Sequence, residues 1–280
     1  MPSIETVLAV EHVRRMRGGA QSHLMHCDDS NYYVVKFPDN PQGNKILANE
    51  FLATALAECL GLPTATGRVV NVVGQLIAHS SEMFFELQRG RAPLRPGNCF
   101  GSLFEQSEAW KGGPAILGAY DFLPSANMQR VENLGDFAGM LVFDKWTNNV
   151  DDRQVVFVMR NGSYSARMID HGWCFGATWD FVTPPTRGVY FRAAVYENIR
   201  DLESFEPWLT RLDRLSLVEL SEIARLIPGE WYQNDDDALA ALVEKLYARR
   251  TGVRDELRKT QRRLPQLFPN WKVRTMVAAH

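Results

Sequence analysis

The chain has 280 residues, of which 45% are hydrophobic and 11% aromatic, and its formal net charge is −2. This length suits one large domain or two lobes that share a cleft, and the apolar content excludes wholesale disorder. A charge so close to zero gives no general case for direct binding of nucleic acid or of an anionic membrane surface.

We expect a cytoplasmic protein without a membrane span. No segment approaches the ~20 apolar residues that cross a bilayer, and the N-terminus lacks the apolar region of a signal peptide. The cysteines, at positions 27, 59, 99 and 174, are scattered and show no CxxC spacing. This scatter favours reduced structural thiols over a zinc site or a disulfide framework.

The first part of the chain is predicted to be rich in strands. Residues 6–16 and 22–27 could pair across a glycine turn, and residues 32–37 form a strand of aromatic and β-branched residues. A helix is predicted over 45–60, because its apolar residues recur at helical spacing and Gly61 can end it. Residues 67–79 are interpreted as two strands around Gly74.

The middle of the chain is harder to interpret. Residues 83–88 are expected to extend the sheet. Residues 89–130 are rich in Gly, Pro, Ser and Arg, and we interpret them as an insert or linker with a short strand near 100–104. From Val131 the apolar spacing becomes helical.

A polar segment at 147–154 precedes the strongest local indication of secondary structure in the chain. Asn161-Gly162 predicts a tight hairpin turn between strands at 155–160 and 163–169. The hairpin would return Asp170 to the same end of the ribbon as Asp151. Phosphoryl transfer needs two such carboxylates, one for the attacking hydroxyl and one for the metal on the ATP phosphates. Taken alone, the pair would also suit a nuclease, a phosphatase or a solvated surface loop.

The last part of the chain is predicted to be helical. Helices are expected at 206–212, 216–226 and 236–264, with a break near Gly252. The basic residues clustered at 249–263 alternate with acids, which favours a solvated helix face over a binding patch. A β-rich first half and a helical second half predict an α+β fold.

Two features that precede the hairpin in the chain reduce the number of functions that the two aspartates could serve. Lys36 lies in the strand at 32–37, and Glu50 follows it in the next helix, as in kinases where a helix glutamate holds the phosphate-binding lysine. The alternative is an edge-strand lysine with a glutamate that complements a helix N-terminus. Earlier still, residues 17–22 form a glycine turn that would let backbone N–H groups approach phosphate oxygens, or serve as an ordinary hairpin turn.

Together these residues resemble the HipA-like kinase family, a branch of the protein-kinase-like superfamily close to phosphoinositide kinases. The similar segments follow one another in order from about residue 17 to residue 176. They are Gly19-Ala20-Gln21, Tyr33-Val34-Val35-Lys36-Phe37, Asn49-Glu50, Leu60-Gly61-Leu62-Pro63, Phe100-Gly101-Ser102, Phe143-Asp144, Asn149-Val150-Asp151 and Ile169-Asp170-His171-Gly172.

The resemblance implies a bilobal protein-kinase-like fold, with an N-lobe at 1–104 and a C-lobe at 105–280. It implies that Lys36 binds ATP phosphates, that Glu50 braces it, that Asp151 orients or deprotonates the acceptor hydroxyl, and that Asp170 ligates Mg²⁺. The glycine loop would contribute to nucleotide binding through Gly18, Gly19, Ala20, Gln21 and Ser22. Many family members place a metal-binding asparagine a few residues after the catalytic aspartate. Here Gln154 is the best substitute, because its amide oxygen can ligate a hard cation.

The leading hypothesis is therefore an ATP- and Mg²⁺-dependent phosphotransferase, with a protein serine or threonine as the acceptor that the resemblance implies. An antitoxin-like partner is consistent with the same resemblance. A second hypothesis is a nucleotide-binding pseudokinase that acts as a regulatory or interaction module, which the glutamine at position 154 motivates. A third is a non-kinase α+β binding protein.

Overall fold

A closed β-barrel forms the first part of the molecule in the computed structural model, which describes residues 6–107, 119–182 and 186–272. The strands of this part are β1 (Thr6–Arg15), β2 (His23–Cys27), β3 (Tyr32–Lys36), β4 (Gly67–Val72), β5 (Phe84–Leu87), β6 (Gly90–Pro93) and β7 (Gly97–Leu103). The barrel order is β1-β2-β3-β7-β4, and a parallel pairing of β1 with β4 closes it. Alternate apolar side chains fill its interior, among them Val7, Met25, Val35, Val70 and Cys99.

Lys36 lies at the centre of this barrel wall. Strand β3 is hydrogen-bonded to β2 on one side and to β7 on the other, and Lys36 is opposite Phe100 in the β3–β7 ladder. The alternative of an edge-strand lysine is therefore wrong.

The helix that follows β3, α1 (Ile46–Cys59), is the predicted helix with ends shifted by one residue. Its first half, from Ile46 to Ala53, is buried on every face, because it is packed between the barrel and the helical part of the chain. It ends where Gly61, at φ +69°, reverses the chain.

Three predictions for the following residues need correction. Residues 67–79 form one strand, β4, and then a short helix, α2 (Gly74–Ala78), because the half-buried Leu76 and Ile77 do not alternate across a sheet. Residues 83–88 do not extend the barrel, since β5 turns back at Gly90 and pairs only with β6. Residues 89–107 are no linker, because β7 pairs with both β3 and β4; residues 108–118 lie outside the described part.

The second part of the chain begins with β8 (Ala119–Tyr120), a 3₁₀ turn at Ser125–Arg130, and α3 (Asp136–Thr147). The predicted hairpin follows as β9 (Gln154–Arg160) and β10 (Ser163–Ile169), with left-handed φ values of +49° at Asn161 and +80° at Gly162. Its register places Gln154 opposite Ile169. The residues before β9 and after β10 therefore lie at the same end of the ribbon, as the sequence predicts.

Four helices complete the described chain: α4 (Trp208–Arg214), α5 (Leu217–Ala224), α6 (Asp236–Arg249) and α7 (Val253–Arg263). Ser216 caps α5 together with Glu219, and the predicted break near Gly252 separates α6 from α7. These helices share one buried cluster with α1 and α3. In the part of the chain that the structure describes, no helix has the length and apolarity needed to cross a bilayer.

The architecture is thus an α+β fold with a strand-rich first part and a helical second part. The predicted lobe boundary between residues 104 and 105 falls just after β7 and stays a prediction.

Candidate active site

An ion-paired cluster joins the barrel, α1 and the end of the β9–β10 hairpin. The Lys36 ammonium donates to Oε1 of Glu50 and, at 2.8 Å, to Oδ1 of Asp170. The side chains of Lys36 and Glu50 are 9% and 3% exposed, whereas that of Asp170 is 24% exposed. Asp170 is therefore the member of the cluster that solvent or a ligand can reach most easily.

Gln154 lies next to this cluster. Its side-chain amide donates to the second carboxylate oxygen of Asp170 at 2.9 Å, and the β9–β10 register brings the two residues together. The structure thus brings four of the predicted site residues, Lys36, Glu50, Gln154 and Asp170, into one hydrogen-bonded group.

The turn after Asp170 also binds the Glu50 carboxylate, through backbone hydrogen bonds. Backbone N–H groups of His171 and Gly172 donate to the Glu50 carboxylate at 3.0 and 2.8 Å. A Cβ atom on Gly172 would lie 3.2 Å from Glu50 Oε1 and 3.1 Å from Ile46 Cδ1, so glycine permits the close approach of α1. Asp170 itself has φ +58°, a left-handed conformation that turns its carboxylate away from the strand direction.

The charges of the cluster shift the pKa values of its members. Burial lowers the pKa of Lys36, but the carboxylates of Glu50 and Asp170 outweigh burial and raise it above its usual value. Burial raises the pKa of Asp170, but the Lys36 ammonium outweighs it and holds that pKa below its usual value. Burial raises the pKa of Glu50, although the Lys36 ammonium opposes this shift. The lysine itself stays charged at neutral pH.

Asp151 lies in the loop between α3 and β9, outside the Lys36 cluster. Its backbone N–H donates to the side chain of Asn149 at 3.0 Å, and its carboxylate accepts from the N–H of Asp152 at 2.8 Å. Asp152 forms an exposed ion pair with Arg187. The loop also bonds to residues after β10, since Val150 N–H donates to the carbonyl of Trp173 at 3.0 Å.

A buried ion pair, which was not predicted from the sequence, supports this loop. Arg153 and Asp144 of α3 are both 1% exposed at their side chains and bond through two guanidinium nitrogens. Arg153 also donates to the carbonyl of Ile169 at 2.8 Å, and Asn149 donates to Asp144 at 3.0 Å. The ion pair therefore ties the Asp151 loop to the residue that precedes Asp170. A signal was present, because Asp144 shares a helix face with the apolar residues Phe137 and Leu141.

His171 is a buried structural residue. It is 2% exposed, and its Nε2 lies 3.0 Å from the hydroxyl oxygen of Thr64. Burial and the nearby Arg153 lower the pKa of His171 well below its usual value, so it is neutral in the folded protein.

The glycine loop connects β1 to β2, with Gly18 at φ +117° and Gln21 at φ +47°. The Gln21 side chain bonds to the β5–β6 hairpin, accepting from Glu86 N–H at 2.6 Å and donating to Glu86 C=O at 2.9 Å. Ala20 and Ser22 are buried, and the Asn40 side chain donates to the Ala20 carbonyl at 2.9 Å. Gly18 and Gly19 are exposed. The predicted nucleotide contacts of residues 18–22 stay predictions.

The donor set at Asp170 and Gln154 fits a hard divalent cation. A carboxylate and a side-chain amide both offer oxygen, and Mg²⁺ in phosphotransfer sites takes few protein ligands besides substrate phosphates and water. Among residues 6–107, 119–182 and 186–272, no group of three or more His, Cys, Asp and Glu side chains could hold a metal ion. A cation here would therefore depend on Asp170, Gln154 and the phosphates of a bound nucleotide.

The fold and the cluster together define a protein of the kinase class: a barrel lysine held by a helix glutamate, with an aspartate at the end of a hairpin. A match to a family model assigns the chain to one family within this class. The model of HipA-like kinases matches residues 9–262, and the chain belongs to this family. This membership removes the hypothesis of a non-kinase binding protein.

A solved structure agrees with the fold. The hydra Fam20 structure with sugar is 13% identical, with a TM-score of 0.52, and the match covers 97% of this chain and 90% of that one. The Helicobacter pylori proinflammatory kinase CtkA is 11% identical, with a TM-score of 0.47 and coverages of 88% and 94%. The Golgi casein kinase with Mn/ADP bound is 13% identical, with a TM-score of 0.45 and coverages of 90% and 73%. No curated protein matches the chain in sequence.

Proposed function

We propose that this HipA-like kinase is an ATP- and Mg²⁺-dependent phosphotransferase that acts on serine or threonine of a protein. The observation that carries the proposal is the position of Lys36, whose ammonium is held between Glu50 and Asp170. Kinases place a strand lysine, a helix glutamate and a metal-binding aspartate in this relation around the nucleotide phosphates.

Each residue has a role in this proposal. Glu50, fixed by two backbone N–H groups, holds Lys36 ready for the ATP phosphates. Asp170 and Gln154 would hold Mg²⁺, which when bound neutralises charge on the phosphates. Asp151 would orient the acceptor hydroxyl from a loop that the Arg153–Asp144 pair keeps in place. Catalysis would rest on positioning and charge, with little covalent work by the protein.

Family membership supports the choice of acceptor, since a protein serine or threonine is what the resemblance to HipA-like kinases implies. An antitoxin-like protein partner and a cytoplasmic location belong to the same proposal. Direct contact with nucleic acid is not part of it, because the chain as a whole carries almost no net charge.

The test is transfer of the γ-phosphate from labelled ATP, with Mg²⁺, to the protein itself or to a general protein acceptor. We expect transfer by the wild type and a loss of roughly 10²-fold or more in Asp151→Asn. Asp152→Asn is the matched control, because it changes the adjacent carboxylate, which pairs at the surface with Arg187. Equal losses in the two variants would contradict the role of Asp151. Phosphoamino-acid analysis of the product identifies the acceptor residue.

One observation favours a second function, that of a nucleotide-binding pseudokinase with a regulatory role. Both carboxylate oxygens of Asp170 are engaged, one by Lys36 and the other by the amide of Gln154, which stands where an asparagine is usual in the family. Nucleotide binding without any transfer would establish this function and exclude the first. If Gln154→Asn then gained transfer, the glutamine would be the cause.

A further inference from the structure

Three consecutive residues of α1, Asn49, Glu50 and Phe51, together contact several segments that are distant in the chain. Glu50 binds Lys36 and the turn after Asp170, as described above. Asn49 and Phe51 point about 100° to either side of it, because successive residues turn by that angle around a helix. Neither Asn49 nor Phe51 has a role in the proposed function. Each of them contacts a tryptophan in the second part of the chain.

Asn49 faces the segment that follows the Asp170 turn. Its amide donates to the carbonyls of Gly172 and Ala177 at 2.8 and 2.9 Å, and its oxygen accepts from the Trp179 indole at 2.8 Å. Asn49 is fully buried, so each of these bonds replaces one to water. The ammonium of Lys45, the residue just before α1, lies 3.8 Å from the centroid of the same indole.

Phe51 faces Trp231, in the 3₁₀ turn Gly229–Tyr232 before α6. The two rings meet edge to face with centroids 6.1 Å apart, and Trp231 meets Phe100 in the same way at 6.5 Å. Phe100 is the cross-strand neighbour of Lys36. Trp231 therefore contacts the residue next to Glu50 along the helix and the residue next to Lys36 across the sheet.

Trp231 is also tied directly to the barrel. Its indole N–H donates to the carbonyl of Asn98 in β7 at 3.0 Å, and the Asn98 side chain donates to Glu230 at 3.0 Å. The ring is 2% exposed, so it is locked by packing as well as by these bonds. A shift or rotation of α1 would break the contacts of Asn49, Glu50 and Phe51 together.

From this arrangement we propose that Trp231 is a positioning residue for the Lys36–Glu50 pair, with Trp179 opposing it on the other side of Glu50. The proposal rests on the proposed phosphotransferase function. Removing the indole lets the first half of α1 move away from β3, which lengthens the Lys36–Glu50 contact and misplaces the ammonium for the ATP phosphates. The defect should appear in the transfer step and in the KM for ATP, although Trp231 belongs to neither β3 nor α1.

The variant is Trp231→Leu, and its matched control is Trp208→Leu. Trp208 is a second buried tryptophan of the helical part, but it packs against Gly139 of α3, and its indole N–H bonds to nothing in the described residues. Both variants lose a large core side chain and should lose stability to a similar degree. We expect kcat/KM for ATP to fall roughly 10²-fold in Trp231→Leu, measured below the melting temperature, and far less in the control.

A double-mutant cycle separates positioning from general support of the fold. If Trp231 acts through Glu50, its removal costs little further activity in a Glu50→Gln background. A loss of the same size in both backgrounds, or no loss in Trp231→Leu, would overturn the proposal. If Trp231→Leu does not fold, Trp231→Phe keeps an aromatic ring against Phe51 and Phe100 but loses the bond to Asn98 and part of the indole. It should show a smaller loss that Glu50→Gln again suppresses.

Hydrogen exchange of the nucleotide-free protein gives a readout that does not require activity. Amides of residues 46–53 should exchange faster in Trp231→Leu than in Trp208→Leu, while those of α6 stay alike in both. Equal exchange over 46–53 would count against the positioning role. A wild type that neither binds ATP nor transfers phosphate would refute the proposed function, and the exchange data would still decide whether Trp231 holds α1.

Discussion

Lys36 Nζ lies 2.8 Å from Asp170 Oδ1, although 134 positions separate the two residues in the chain. This ion pair joins the central strand of the barrel to the end of the β9–β10 hairpin. The same ammonium holds Glu50, so two mostly buried carboxyl groups share one counter-charge. The first prediction follows from this shared counter-charge.

Replacing Lys36 by methionine should destabilise the protein. The change leaves Glu50 and Asp170 close together without a counter-charge, and the loss of one partner of a buried ion pair costs about 3 kcal/mol. The measurement is the free energy of unfolding in urea at pH 7. Adding Glu50→Gln to the variant should recover part of the loss, because it removes one of the two stranded charges. Equal stability of wild type and Lys36→Met would contradict a stabilising role of the Lys36 ion pairs.

Arg153→Met should be at least as costly. It strands the Asp144 carboxylate inside α3, with an expected loss of about 3–5 kcal/mol in the free energy of unfolding. The double variant Arg153→Met with Asp144→Leu should lose less than Arg153→Met alone, since no buried charge remains. The matched control is Arg187→Met at the exposed pair with Asp152, where a loss of about 0–1 kcal/mol is expected.

Gly162→Ala tests the hairpin turn. At φ +80° an alanine carries a backbone strain of about 1–2 kcal/mol, so its melting temperature should fall. Gly135→Ala is the comparison: Gly135 has helical φ and ψ of −59° and −30°, and an added Cβ would meet no atom within 4 Å. That variant should be neutral or slightly stabilised, by up to about 1 kcal/mol. The same loss at both positions would show that strain at Gly162 is not the cause.

The protein should lose stability as pH falls below about 6.5, in part because of buried neutral histidines. Burial lowers the pKa of His23 to about 3, helped by His12 and Arg15, and burial also lowers the pKa of His171. The unfolded chain takes up these protons near pH 6.5, whereas the folded chain does not. The stabilisation is therefore complete above pH 6.5 and declines on acidification, by at most about 1.4 kcal/mol per pH unit for each histidine.

His23→Phe isolates one of these contributions. Urea denaturation at pH 7, 6 and 5 should give a shallower decline than in the wild type, by the share of one proton. His79→Phe, at an exposed position, should leave the decline as it is. If His23→Phe shows the wild-type slope, His23 takes up its proton in the folded state.

Much of the fold and of the candidate site could be predicted, because their signals are local. The Asn161-Gly162 turn, the glycine that ends α1, and the strand around Lys36 each follow from neighbouring residues. The order of Lys36, Glu50 and Asp170 then indicated a shared cleft, and their hydrogen bonds confirm that they meet. Strand β7 was underestimated because Gly97, Asn98, Gly101 and Ser102 have little strand propensity; pairing with β3 and β4 on both edges determines its conformation.

Arg153 and Trp231 could not be predicted in the same way. Arg153 looks like a solvated loop residue until α3 brings Asp144 against it. Trp231 has no local pattern at all, since its bond to Asn98 spans 133 positions. Contacts of this kind arise from packing between distant segments, and a single sequence does not reveal which segments meet.

The closed barrel also limits how a protein partner could bind. Strands β1, β2, β3, β4 and β7 each have two hydrogen-bonded neighbours, so a partner's extended peptide cannot join this sheet by β-augmentation. The hairpin of β5 and β6 has outer edges, and so do β8 and β10 at the two ends of the three-stranded sheet. Within the strands that the structure describes, a peptide that docks through main-chain hydrogen bonds would use one of these edges. Among them, the β5–β6 hairpin is bonded to Gln21 of the glycine loop.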